Sequence, residues 1–194
     1  MSSYLRAVML LLILAGCGPR NFAAPRELDN ACSIVAQHPE YLRAFRATER
    51  RWGVPVPVQM SMLYQESKFI GDARPPHRWT LGVIPVGRQS SAFGYAQALD
   101  GTWEEYQERE GGRRHRRDNI FHATNFMGWY MTQTQAELGI PLGDTYNQYL
   151  AYHEGRAGYA RGSYRAKAWL VQVSGALAER TRLYDSQLRA CNRR

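Results

Sequence analysis

The amino-acid sequence predicts a mainly α protein, one compact helical domain carrying a long irregular flap. Three observations predict it. Apolar residues recur at three- and four-residue spacing in successive stretches of the chain. Glycine and proline stand at the ends of those stretches, where helices stop. One long segment, residues 71–91, lacks the helical period and is rich in Gly and Pro. At 194 residues the chain is long enough to bury a real core in one domain, and it holds no internal repeat or low-complexity block.

In chain order, Arg6 precedes a short apolar run, Ala7 to Gly16, with small residues at its end. That is the pattern of an export signal, too short to span a bilayer as a mature helix. Leu14-Ala15-Gly16-Cys17 resembles a bacterial lipobox. The resemblance implies cleavage before Cys17 and lipid attachment to its thiol; the alternative is an ordinary signal peptide with an incidental cysteine. Gly18 is not the aspartate that retains such lipoproteins in the inner membrane, so the expected location is the outer membrane, facing the periplasm. Residues 1–16 are then the signal, 17–37 a lipidated N-terminus and tether that becomes ordered near Cys32, and 38–194 the domain. Cys32 and Cys191 remain as an even pair in an oxidising compartment, which suggests a disulfide. The alternative is two buried thiols, since Cys191 continues an apolar stripe.

Within the domain, a first helix runs from Pro39 to Trp52, burying Leu42 and Phe45 and stopped by Gly53 and Pro55. A second runs from Pro57 to Ser67, with proline in its first turn. The flap follows, with β-like residues at Thr80–Val86 that suggest a small hairpin, although Pro85 weakens a strand there. Asp100 caps a short helix closed by Gly111-Gly112. Asn119 to Leu138 forms a strong helix ended by Gly139 and Pro141. Thr145 caps another through Glu154, and Ser163 to Ala190 forms the last.

The net charge of +8 suits an anionic polymer or membrane surface. The densest basic cluster, Arg113 to Arg117, admits a nucleic-acid reading, but export argues against that partner and a solvated loop explains it. His38, His77, His115, His122 and His153 show no zinc-ligand spacing, and no glycine-rich phosphate loop is present. No metal or cofactor is expected.

Chemistry is signalled by Glu66. On the Pro57–Ser67 helix, Val58, Met62 and Leu63 share one face, and Glu66 continues that apolar stripe. A carboxyl there loses hydration, which raises its pKa toward the value a general acid needs. An amphipathic helix ending in an exposed glutamate is the simpler alternative. Three short motifs weigh against it: Gln65-Glu66-Ser67-Lys68-Phe69, Ser91-Ala92-Phe93-Gly94-Tyr95-Ala96-Gln97, and Ala151-Tyr152-His153-Glu154-Gly155, with Asp118-Asn119-Ile120 between the last two.

This ordered set resembles the family 1 lytic transglycosylases, which have a lysozyme-like fold and the pattern E-S-x-F, G-L-M-Q, N-I and A-Y-N-A-G. The likeness covers roughly Pro57 to Ala190. It implies that Glu66 is a single catalytic acid/base and that Tyr152 orients its carboxyl. It also implies that Ser67, Gln97 and Tyr152 bind substrate, with Gln97 offering donors and acceptors to sugar amides; Tyr95 and His153, in the same motifs, are further substrate-binding candidates. The substrate implied is peptidoglycan, cut by a monomer without water to a 1,6-anhydro product. Tyr95-Ala96 in place of Leu-Met and His153-Glu154 in place of Asn-Ala depart from the pattern. Tyr95 either stacks on a sugar or fills core.

Two other functions fit the same residues. A lysozyme-type hydrolase needs a second carboxylate, for which Asp72, Asp100 and Glu154 are candidates; they are more simply a loop residue, a helix cap and a solvent-facing group. A non-catalytic wall-binding lipoprotein would use its basic surface with Trp79, Trp103 and Trp129, unless those rings are buried.

Overall fold

The computed structural model describes residues 22–81 and 83–191. The export and lipid-attachment readings at residues 1–17 lie outside them. Helix α1, Ala31–Gln37, begins where the Asn30 side chain accepts the Ser33 N–H at 3.0 Å. Helix α2, Pro39–Trp52, has proline in its first turn and ends at Gly53, whose left-handed backbone (φ 75°) returns its N–H to Glu49. Helix α3 spans Val56–Ser67. Strands β1, His77–Thr80, and β2, Ile84–Arg88, form an antiparallel hairpin with Trp79 opposite Pro85. Pro85 is tolerated because a two-stranded ribbon has no inner strand to disrupt.

Helix α4, Asp100–Tyr106, continues into a π-helical turn, Gln107–Gly111. Asp100 opens this helix without capping it; its carboxylate pairs with Arg117 at 2.7 Å instead. Helix α5, Ile120–Leu138, is capped by Asn119, which accepts from Phe121 and His122. Helix α6, Thr145–Glu154, is capped by Asp144, one residue before the expected Thr145. The last helix, expected from Ser163, begins later, at Ala168. Gly155 and Gly162, both at positive φ, bracket a short α7, Arg156–Ala160; a 3-10 turn, Ser163–Ala166, follows; and α8 runs Ala168–Cys191.

The mainly α architecture follows from how these helices bury their stripes. Helix α5 carries Phe126, Met127, Trp129 and Met131 through the centre, against α2. The approach is close at Gly128, where a Cβ would lie 2.5 Å from Trp52 and 2.8 Å from Thr48. Helices α3 and α6 both pack on α8. Trp103 and Trp129 belong to this core, whereas Trp79 stands out in solvent. The residues before 38 are not all tether. Helix α1 is fastened to α8 by a Cys32–Cys191 disulfide, and Gln187 accepts the Ala31 N–H at 2.7 Å. Arg180 of α8 pairs with Asp29 at 2.6 Å. Among the described residues no helix is long and apolar enough to cross a membrane.

Candidate active site

Helix α3 is buried along most of its length, and in its last turns Tyr64, Gln65 and Glu66 are half-buried, so the carboxyl sits at the edge of the core where the helix stops. Ser67 closes that turn from inside: its Oγ is buried and donates to the Leu63 carbonyl at 3.3 Å, which commits it to the helix rather than to a ligand. Lys68 and Phe69 then both take left-handed backbone (φ 52° and 64°), a costly conformation for residues with side chains. The double reversal ends the helix and drives Phe69 into the core, stacked on Tyr41.

Across from this corner, the Gly94–Gln97 loop ties the two ends of the flap together. Gly94 donates to Ala73 at 2.9 Å, and its φ of +80° with Arg117 O only 2.3 Å from a Cβ position explains the glycine. Gln97, also left-handed (φ 47°), uses its side-chain amide to donate to Ala73 O at 2.9 Å and Gly94 O at 2.8 Å. Both amide hydrogens are thereby engaged. Of the donors and acceptors expected at Gln97, only the carbonyl oxygen is left for a ligand. Gln97 lines a cleft of about 230 Å³ with Leu99, Phe126, Tyr130, Tyr152 and His153. A second depression of about 370 Å³ shares Tyr130 and Glu154 and adds Glu105 and Arg156.

Glu66 is not in the wall of that cleft but beside it, partly exposed, within electrostatic reach of Tyr152. Loss of hydration raises its pKa to about 8, against the opposing pull of Lys68 and of a hydrogen bond from Tyr149. The carboxyl is therefore largely protonated at neutral pH. Its phenolic partner differs from the expected one. Tyr152 donates its hydroxyl to the Ala96 carbonyl at 2.6 Å, whereas the buried Tyr149 bonds Glu66 and Gln65. The two tyrosines lie three apart on α6 and share a face. Tyr149 sits a turn deeper and reaches α3; Tyr152 reaches the Gly94–Gln97 loop and lends its ring to the cleft, edge-on to Tyr130 at 5.1 Å.

Tyr95 is a correction to the substrate-binding set. Its ring is buried, edge-on to Tyr41 with the hydroxyls 3.2 Å apart, so it fills core and offers no stacking face in the cleft. His153 does reach the cleft, edge-on to Trp169 at 5.1 Å.

Glu154 is not the solvent-facing group expected. Its side chain is 4% exposed, and it accepts from Lys167 at 2.6 Å, from Ser163, and from His153 Nδ1 at 3.0 Å. The bonds from Lys167 and Ser163 hold its pKa down at about 2. The cluster is invisible in the sequence because Ser163 and Lys167 come from the turn after α7. Among the described residues no three His, Cys, Asp or Glu side chains gather in a way that would hold a metal.

Lys68 was not singled out from the sequence, yet it is the cation facing Glu66, held with its ammonium 3.6 Å from the Tyr64 ring centre; Arg180 stacks on the same ring at 3.5 Å. Removing its charge in Lys68→Met takes away a favourable partner of the ionised carboxyl, so the pKa of Glu66 rises further. The alkaline limb of the pH profile of kcat/KM is expected to move to higher pH; a shift to lower pH would contradict this electrostatic assignment.

One family is found for the chain, the one described as "Transglycosylase SLT domain", and it matches residues 5–191. No curated relative matches, and no solved structure matches. With nearly the whole sequence covered, and a helical fold that ends α3 at a protonated glutamate beside a cleft, the chain belongs to the transglycosylase SLT domain family, with its lysozyme-like fold and lytic-transglycosylase-type action on peptidoglycan.

Proposed function

We propose that this protein is a family 1 lytic transglycosylase that cleaves the bond between N-acetylmuramic acid and N-acetylglucosamine without water, with Glu66 acting first as acid and then as base. The observation that carries the reading is the state of Glu66: a carboxyl with its pKa raised to about 8, next to a cleft whose own carboxyl, Glu154, is held ionised by its partners. Glu66 gives its proton to the glycosidic oxygen as the bond from that oxygen to C1 of the muramic sugar breaks. The 6-hydroxyl of the same sugar then attacks C1, and its proton goes to the Glu66 carboxylate, which restores the starting acid. Tyr149 supplies a hydrogen bond to the carboxylate formed between the steps. Gln97, Tyr152 and His153 supply cleft surface for the glycan.

Hydrolysis by two carboxylates has less support. Glu154 is tied up by Lys167, Ser163 and His153 with its pKa depressed, and Asp72 and Asp100 are exposed, Asp100 in an ion pair with Arg117. A purely wall-binding role leaves the raised pKa of Glu66 without a purpose. We also propose that Cys17 carries the lipid that holds a monomer at the outer membrane, facing the periplasm.

The mass of products from purified sacculi tests the chemistry. Fragments one water lighter than hydrolysis products, with no heavy oxygen taken up from labelled water, are expected. Reducing ends carrying label would replace this reading with hydrolysis.

A further inference from the structure

The feature left unused by this chemistry is the hairpin β1–β2. Trp79 is 57% exposed, Leu81 84%, Val83 74%, Ile84 52% and Val86 48%. Every described position of both strands is exposed, so neither face packs on the domain. An isolated two-stranded ribbon is marginal in water. Ile84 and Val86 share one of its faces and Trp79 and Pro85 the other, with Leu81 and Val83 at the turn, so the end of the hairpin is apolar on both sides, and exposed apolar surface of this kind marks a contact site. Its charge is one-sided. No Asp or Glu occurs from residue 73 to residue 99, while Arg74, Arg78 and Arg88 are all exposed. Among the described residues no ion pair joins any of the three to a carboxylate. Arg74 stacks on Phe93 at 4.2 Å, and Arg88 donates to Pro75 O at 2.7 Å, so two of the cations sit at the root.

We propose that the His77–Arg88 hairpin docks the domain on an anionic phospholipid surface, with its apolar tip among the headgroups and its arginines against lipid phosphates. An apolar end, a tryptophan on the flank and cations behind it is the order in which such groups meet a bilayer interface. The place of Phe22 favours this occupant. Phe22 packs beside Gly71 and Tyr95, at the foot of the flap. Cys17 is five residues upstream, a reach of at most about 18 Å. This step rests on the anchor reading at Cys17: a lipid there keeps the root of the hairpin within that distance of the membrane. Strands of four and five residues project on the order of 15 Å, enough to close the gap. The alternatives fit less well. A glycan strand needs polar partners that the tip lacks, and Pro85 removes a donor from the β2 edge that a partner strand would use.

The test is tryptophan quenching by brominated acyl chains, with the full chain on phosphatidylglycerol–phosphatidylethanolamine vesicles. Trp79 and Trp169 are the exposed tryptophans, so Trp79→Phe and Trp169→Phe leave the core untouched. The bromolipid quenching is expected to fall at least severalfold in Trp79→Phe and to persist in Trp169→Phe. It is also expected to weaken severalfold in the native chain at high salt or on neutral phosphatidylcholine vesicles. Equal quenching in native chain and Trp79→Phe overturns the proposal. So does quenching of Trp79 that ignores lipid charge and salt, or a dimer in sedimentation that Leu81→Asp dissolves. The mass of the residue-17 adduct is read separately. Lipid on Cys17 with Trp79 unquenched refutes the hairpin alone; no lipid on Cys17 with Trp79 quenched refutes the anchor alone.

Discussion

Replacing Glu66 with glutamine is expected to slow glycan cleavage by at least about a thousandfold, the scale of losing a general acid that serves in two steps, while making the protein more stable. The second half follows from linkage. The carboxyl titrates at 4.5 when hydrated and at about 8 in the fold. Between those values the unfolded chain releases a proton that the folded chain keeps, so rising pH favours unfolding. Stability therefore falls from pH 4.5 to pH 8 and then levels off. Glutamine fills nearly the same volume and does not titrate, so the variant escapes that loss. Because water reaches part of the side chain, a gain on the order of 3 kcal/mol at pH 8 is a fair expectation, near zero at pH 4. For a domain of this size it appears as a melting temperature higher by roughly 6–12 °C at the alkaline end. Turnover at the native rate, or a melting-temperature difference that ignores pH, would refute the assignment of Glu66.

Loss of the disulfide is expected to produce the largest destabilisation. It joins residues 159 apart, and closing a loop of that length stabilises by about 5 kcal/mol in the chain-entropy model, with about 2–5 kcal/mol the usual cost of removal. Cys32→Ser should melt well below the native chain, and reductant should lower the native chain to the same point without affecting the variant. The damage begins at one end. Helix α1 would keep its bonds through Gln187 and the Arg180–Asp29 pair, while α3 and α6, which hold Glu66 and Tyr149, pack on α8 independently of α1. Cleavage at low temperature should survive. Identical melting of native chain and variant, with or without reductant, would rule out a bridge of this kind.

Much of this was legible in the residues, and the failures have physical causes. Glu66 betrayed itself because a charged residue on an apolar stripe is a conflict with local pattern. Helices α2, α3 and α5 were readable from periodicity and their terminal glycines and prolines. Tyr149 was missed for Tyr152 because helical spacing puts both on one face, and only the depth of packing decides which reaches α3. Tyr95 stays open in the sequence between a sugar-stacking ring and a core one, because an aromatic ring has the same signature in a groove and in a core. Glu154 was misjudged because its partners lie beyond two glycine breaks that no helical period foretells. The last helix starts later than its apolar period suggests because Ser163–Ala166 winds as a separate 3-10 turn.

The pinning of the flap at Ala73 by Gly94 and Gln97 has an evolutionary corollary. A loop closed at its neck by bonds that do not involve its own tip is a cassette: it can be lengthened, shortened or exchanged without disturbing the scaffold that displays the acid. A relative living on a different surface would need to rewrite only the span between the two ends of that clasp.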